Sequence, residues 1–274
     1  MDGDVVQALI PTAIAAVIFW RAMRGVRNDE LQKFVDRFRV RVDEGEDQFV
    51  RARLRRSRAL RLTAVAIGVL VAGLPAYMNL IAPSRSADFA SPIVGNVWIA
   101  AAASAALLAE VLVVQWPAIA RRTAVIEARR PTDYVARRWT RRLWLLAVVT
   151  PLLAAIGLAA GRGNDVELVA GAGGAMLAGV AAWVGLRQIA ERPRLAPDGH
   201  RREIDDALRS YGAHHLVGAA IALATTSLSI AITAIVGEVW LELLGIGVTY
   251  YGLGVWWAVA REQRWPVQSG LPVS

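Results

Sequence analysis

The chain has 274 residues, 55% of them hydrophobic, with a mean hydropathy of +0.40. Its net charge of +8 comes from 31 basic against 23 acidic residues, and it has no cysteine. This composition excludes disulfides, Cys-based metal sites and a thiol nucleophile. The apolar residues fall in long blocks, which points to a bilayer. An anionic membrane surface then accounts for the positive charge better than nucleic acid does.

Positions 1–27 read as an N-terminal transmembrane anchor. Residues 5–20 are apolar, and Arg21, Arg24 and Arg27 follow them. A secretory signal carries its charges before the apolar core. The reversed order predicts an uncleaved helix with its first residues outside.

Positions 28–59 read as a cytoplasmic amphipathic segment. Asn28 suits a helix N-cap, with Asp29 and Glu30 at the positive end. Leu31, Phe34, Val35, Phe38 and Val42 recur at helical spacing, opposite Lys33, Asp36, Arg37 and Arg39. Gly45 interrupts the pattern, and a second helix over 46–58 is expected to run into the next span. The apolar face suits a helix resting on the membrane or on the protein's own loops. The alternative is a docking surface for a partner protein through 28–59.

Hairpin 1 occupies 60–117, with spans at 60–82 and 92–116. A basic cytoplasmic helix and hairpin 2 occupy 118–193, with spans at 143–160 and 166–186. A cytoplasmic helix, hairpin 3 with spans at 215–236 and 239–260, and a short loose tail fill 194–274. The predicted fold class is therefore all-α. It is a polytopic integral membrane protein of seven transmembrane helices, one anchor plus three hairpins, with cytoplasmic amphipathic helices. Loops assigned to the inside hold 28 basic residues, and those assigned to the outside hold Arg85 and Arg162. By the positive-inside rule this places the N-terminus outside and the C-terminus in the cytoplasm. Basic residues other than Lys33 are all Arg, which suggests high-GC coding and hence a bacterial cytoplasmic membrane. Trp20, Trp116, Trp139, Trp144, Trp183, Trp256, Trp257 and Trp265 fall at the predicted inner interface, where amphipathic rings settle.

Two carboxylates, Glu110 and Glu242, lie within apolar runs. Intramembrane carboxylates face a bundle interior and often mark ion or proton paths; both are shallow enough for snorkelling or a local partner. Thr225, Thr226, Ser227, Ser229 and Thr233 give the sixth span hydroxyls that can bond to their own helix, to a neighbour or to a cavity. Ala170, Gly174 and Ala178, Ala175 and Gly179, and the pairs Gly245 with Gly252 and Gly247 with Gly254 suit close helix packing. His214 and His215 are adjacent, which makes a poor metal pair and suggests an interfacial role.

Basic blocks at Arg129, Arg130, Arg137, Arg138, Arg141 and Arg142, and at Arg201, Arg202 and Arg209, are candidates for holding anionic lipid head groups or a partner protein. Asp133 to Arg137 and Asp205 to Arg209 sit at matching places in these blocks, and Asp47 with Arg51 repeats the spacing. That pattern predicts three parallel hairpin repeats, each led by a cytoplasmic helix. No span holds a lysine, which excludes a retinal Schiff base. Walker A, His-Glu-x-x-His and Gly-x-Ser-x-Gly patterns are absent. No catalytic, cofactor or metal site is expected, nor a nucleic-acid partner. The expected function is a non-catalytic membrane subunit or assembly partner that docks other proteins through basic cytoplasmic helices. The alternative is a transporter or permease component, proton-coupled through Glu110 and Glu242.

Overall fold

The computed structural model describes residues 3–81, 92–115, 130–192, 199–236 and 239–262. Among the described residues the chain is all-helical, with no strand. In chain order the α-helices are α1 (Gly3–Met23), α2 (Asn28–Phe38), α3 (Glu44–Ile81), α4 (Pro92–Gln115), α5 (Arg137–Ala159), α6 (Asp165–Glu191), α7 (Gly199–Val236) and α8 (Val239–Arg261).

Three stretches are long and apolar enough to cross a membrane: α5, α6 and Arg202–Val236 of α7. A fourth appears if α1 and α2, bent by 78° at their junction, are counted as one broken span. The fold thus supports three to four spans where the sequence predicts seven. Among the described residues, α4 contributes the apolar stretch Ile99–Leu112. The outward faces fit a lipid environment. On α5, Leu145, Val148, Leu152 and Ile156 form an exposed stripe at helical spacing, and Val169, Met176, Leu177 and Val180 do the same on α6. Water would penalise so continuous an apolar surface.

Helix α7 is the axis of the bundle and packs against α4, α5, α6 and α8. Alanine is the commonest residue at its buried positions, including Ala213, Ala219, Ala220, Ala222 and Ala224. Small side chains bring neighbouring backbones close, and that contact replaces the hydrophobic drive that lipid cannot supply. Gly171 sits against the Ser227 carbonyl, Gly185 against Leu216 and Gly218 against the Trp256 ring. Gly245 and Gly252 face α7, whereas Gly247 and Gly254 face open space.

Helices α3 and α7 are each 38 residues long, about 57 Å at 1.5 Å per residue. A hydrocarbon core is only about 30 Å thick. In both helices the polar half is the N-terminal one, so it extends beyond the apolar zone. Helix α2 lies in the angle between these extensions. Its Phe34 and Phe38 pack on Val50 and Leu54 of α3 and on Ile204 and Ala207 of α7. Burying each aromatic ring contributes about 1.5–3 kcal/mol. The apolar face of α2 is therefore covered within the chain.

Several local expectations change. Helix α2 begins at Asn28, so the cap is Arg27, whose backbone N–H donates to Glu30 Oε2 at 3.4 Å. Arg39, with φ at 51°, closes the helix in the left-handed region. Gly45 does not interrupt α3 but lies in its first turn. The lead-in to α5 is not a continuous helix. A 3-10 turn at Pro131–Asp133 precedes it, and the Asp133 carboxylate accepts from the backbone N–H of Arg130 at 2.8 Å. Asp205 and Arg209, by contrast, pair within one helix at 2.7 Å, as Asp47 and Arg51 do at 2.8 Å. The Asp–Arg pairing expected in all three repeats thus forms in α3 and α7 and not at the start of α5. Pro131 removes the backbone donor a longer helix would need there.

Candidate functional site

A cluster of charged and aromatic side chains lies at the basic end of the bundle. Glu110 of α4 is 1% exposed and forms an ion pair with the Arg61 Nε of α3, a side chain 10% exposed. Arg61 also donates to Ser57 Oγ at 3.2 Å, one turn back on α3. Its guanidinium lies 5.6 Å from the centre of the Tyr211 ring on α7. Tyr211 meets the His215 ring edge-on at 4.6 Å and Phe34 of α2 at 6.1 Å. The cluster therefore joins α2, α3, α4 and α7. Glu110 Oε2 and His215 Nδ1 are buried without a hydrogen-bond partner. A carboxylate in such a setting is stable only because its counter-charge is in contact.

Glu262, just past α8, is a second meeting point. Its carboxylate accepts from Arg138 Nη2 at 2.6 Å and from the Trp139 indole N–H, both on α5. Its backbone carbonyl accepts from Arg37 Nε of α2 at 3.2 Å. Burial holds the Arg37 guanidinium below its ordinary pKa, opposed by Tyr211 and by Glu262. Glu262, near the start of the tail expected to be loose, is thus held against α2 and α5; residues 263–274 lie outside the described residues.

His214 is turned into the bundle, and His215 is partly buried beside Tyr211. His214 is fully buried, with Nδ1 2.7 Å from the Ser210 carbonyl. Ser210 in turn donates to the Tyr134 carbonyl at 3.1 Å, tying α7 to the loop before α5. Trp139 is likewise buried rather than at a surface.

The candidate docking arginines divide by environment. Arg130, Arg137, Arg141, Arg142 and Arg202 are exposed. Arg138 is engaged by Glu262, and both Arg138 and Arg142 lie over the Trp139 ring, at 5.0 and 4.8 Å. Arg209 is turned inward, 4% exposed, and bonds Asp205 together with the carbonyls of Ile189 at 3.2 Å and Arg192 at 2.7 Å. It satisfies the C-terminal carbonyls of α6 that no helix bond can reach. Arg129 lies outside the described residues, and so do the side chains of Arg201 and Glu242.

Two of the predicted α7 hydroxyls bond their own helix, one crosses to α8, and the Thr233 hydroxyl is buried without a hydrogen-bond partner. Thr225 donates to the carbonyls of Ile221 at 2.8 Å and Ala222 at 3.0 Å, and Thr226 to Ala222 at 2.8 Å. Ser229 crosses to the Gly245 carbonyl of α8 at 2.7 Å.

A groove of about 450 Å³ opens between the 3-10 turn, the start of α5 and the last turns of α6. No protein family, characterised protein or solved structure matches the chain. Sequence reasoning found Glu110 but missed Arg61, Tyr211 and Glu262. Arg61 and Glu110 fall toward the basic ends of two consecutive apolar stretches of the sequence, and that shared position was the available signal.

Proposed function

We propose that this chain is an integral membrane subunit without catalysis of its own, which docks other proteins through its basic cytoplasmic face. The observation that carries the reading is the pairing of Glu110 with Arg61: the intramembrane carboxylate is committed to holding two helices together. Thr225, Thr226 and Ser229 of α7 are similarly committed to backbone carbonyls. Arg137 and Arg141 are outward-facing at the basic end and are suited to contact a partner or the membrane surface.

The proposed arrangement has seven spans, with the N-terminus outside and the C-terminus in a bacterial cytoplasm. Two sets of contacts support the alternation of helix directions. Residues assigned to the inside come together: Arg58 of α3 bonds Glu30 at 2.6 Å, and Arg37 and Arg138 meet Glu262. At the other end, Gly163 of the α5–α6 turn lies against Ala234 and Ile235 at the end of α7.

The test is in-cell crosslinking followed by purification in mild detergent. A defined membrane or cytoplasmic protein should co-purify, and be lost when Arg137, Arg141 and Arg142 are changed to Gln. Recovery of the chain alone under crosslinking would refute the docking role. A second reading, a proton-coupled transporter component, is favoured by the unpartnered Glu110 Oε2 and His215 Nδ1 within one cluster. Solute or proton flux in reconstituted vesicles, abolished by Glu110→Gln in a folded protein, would favour it over docking.

A further inference from the structure

We infer that the groove between the start of α5 and the end of α6 is a binding site for one anionic phospholipid of the inner leaflet. The inference rests on the reading of α5 and α6 as spans whose basic ends face the cytoplasm.

The lining is graded in polarity along the helix axis. At the mouth stand Arg130 and Arg137, with Thr132 and Thr140 beside them. Both guanidiniums are exposed, and neither is ion-paired among the described residues. Ala136, the N-cap of α5, brings no side-chain acceptor, so the positive end of that helix adds to the same field. Deeper in, the walls become Trp144 and Trp183 over a floor that includes Leu143 and Gly179. Trp144 lies seven residues past Arg137, about 10 Å along the axis.

A charged mouth leading over that distance into aromatic and apolar walls matches the order of a phospholipid: phosphate, glycerol backbone, acyl chain. The two rings are 47% and 50% exposed, so each keeps substantial surface for a ligand. Gly179 allows the close approach of Ala147, and Trp144 lies alongside. The volume lies in the range of small-molecule sites. It suits a head group and the first part of a chain, with the remainder in the bilayer. Basic pockets between spans on the cytoplasmic side are recognised positions for such lipids. Arg187 is not part of the phosphate clasp: it lies 5.7 Å from the Trp183 ring centre and pairs with Glu191 at 2.6 Å.

The experiment titrates phosphatidylglycerol and phosphatidylcholine separately into the detergent-solubilised full chain and counts bound lipids by native mass spectrometry. One phosphatidylglycerol should bind more tightly than the rest, and phosphatidylcholine should not compete for it. Arg130→Gln with Arg137→Gln should weaken that first site about 25-fold, at the usual contribution per basic residue near an anionic lipid surface. The Arg130→Lys, Arg137→Lys pair keeps the charge and should stay within a few-fold of the parent. Arg41→Gln with Arg55→Gln removes the same charge elsewhere and should leave the first site intact. Trp183→Ala should weaken phosphatidylglycerol without creating affinity for phosphatidylcholine.

Equal losses in both double Gln variants would overturn the site in favour of a diffuse surface field. Competition by phosphatidylcholine would overturn recognition of the head-group charge. Displacement by inorganic phosphate at comparable concentration would overturn the lipid and identify a soluble anion. A protein that does not fractionate with membranes would defeat the spanning reading itself, whereas a membrane-embedded protein without lipid preference would defeat this proposal alone.

Discussion

Arg61 of α3 and Glu110 of α4 form an ion pair sealed inside the bundle, 49 residues apart in sequence. Removing one partner leaves the other charge buried and uncompensated, which typically costs about 3–5 kcal/mol. Replacing both with apolar residues removes both desolvation penalties. Glu110→Leu alone should lower the thermal midpoint in detergent sharply. Adding Arg61→Met should restore most of it. If the double variant is as unstable as the single one, the pair contributes through a network with Ser57 and Tyr211 rather than as two opposed charges.

Glu262 joins three helices: its carboxylate, only 10% exposed, holds α5, and its backbone carbonyl holds Arg37 of α2. Hydrogen bonds to charged groups contribute about 1.5–3 kcal/mol each, reduced here because Arg138 is 56% exposed. Glu262→Ala should therefore destabilise the protein by about 1–3 kcal/mol. The loss should be local first, with faster hydrogen exchange in the first turns of α5, while the backbone bond to Arg37 of α2 is kept. Unchanged exchange in α5 would mean that the Glu262 carboxylate decorates the fold rather than holding it.

These two sites show what was legible in the sequence. Phe34 and Phe38 declare their face through a period of about 3.6, and they pack as that period implies. The continuity of α3 from its polar half into its apolar half was likewise readable from composition. Arg61 was not, because one charge at the edge of an apolar block hardly changes a hydropathy average. Hydropathy reports depth in the bilayer and says nothing of azimuth around the helix. Glu262 was hidden for another reason: its role arises only where α2, α5 and α8 converge. The match of Asp133–Arg137 to Asp205–Arg209 misled because Pro131 changes the backbone that carries the first pair.

The absence of cysteine makes the topology directly testable. Ser210 is a poor labelling site because it is fully buried and bonded to the Tyr134 carbonyl. Exposed positions serve better: Asp36 on α2 and Arg162 in the α5–α6 turn. On intact cells an impermeant maleimide should label Arg162→Cys and spare Asp36→Cys until the membrane is opened. Labelling of Asp36→Cys in sealed cells would invert the proposed orientation.

Gly252 and Gly254 stand two residues apart on α8, yet they should respond oppositely to the same substitution. A methyl group at 252 would overlap Thr225 Oγ1 and come within 2.9 Å of Thr225 Cβ and 3.5 Å of Ala222 Cα. Thr225 cannot yield freely, since its hydroxyl is held by the carbonyls of Ile221 and Ala222. The helices would have to separate along their contact, and overpacking of that kind costs about 1–3 kcal/mol. At 254 a methyl group meets nothing within 4 Å. There the substitution only removes the conformational cost of glycine in a helix, worth up to about 1 kcal/mol in favour of folding. Gly252→Ala should therefore lower the thermal midpoint while Gly254→Ala leaves it level or raises it. The pairs Gly245 with Gly252 and Gly247 with Gly254 have the same spacing, so only their azimuth distinguishes them. Equal destabilisation by both variants would place α8 in a different rotation against α7.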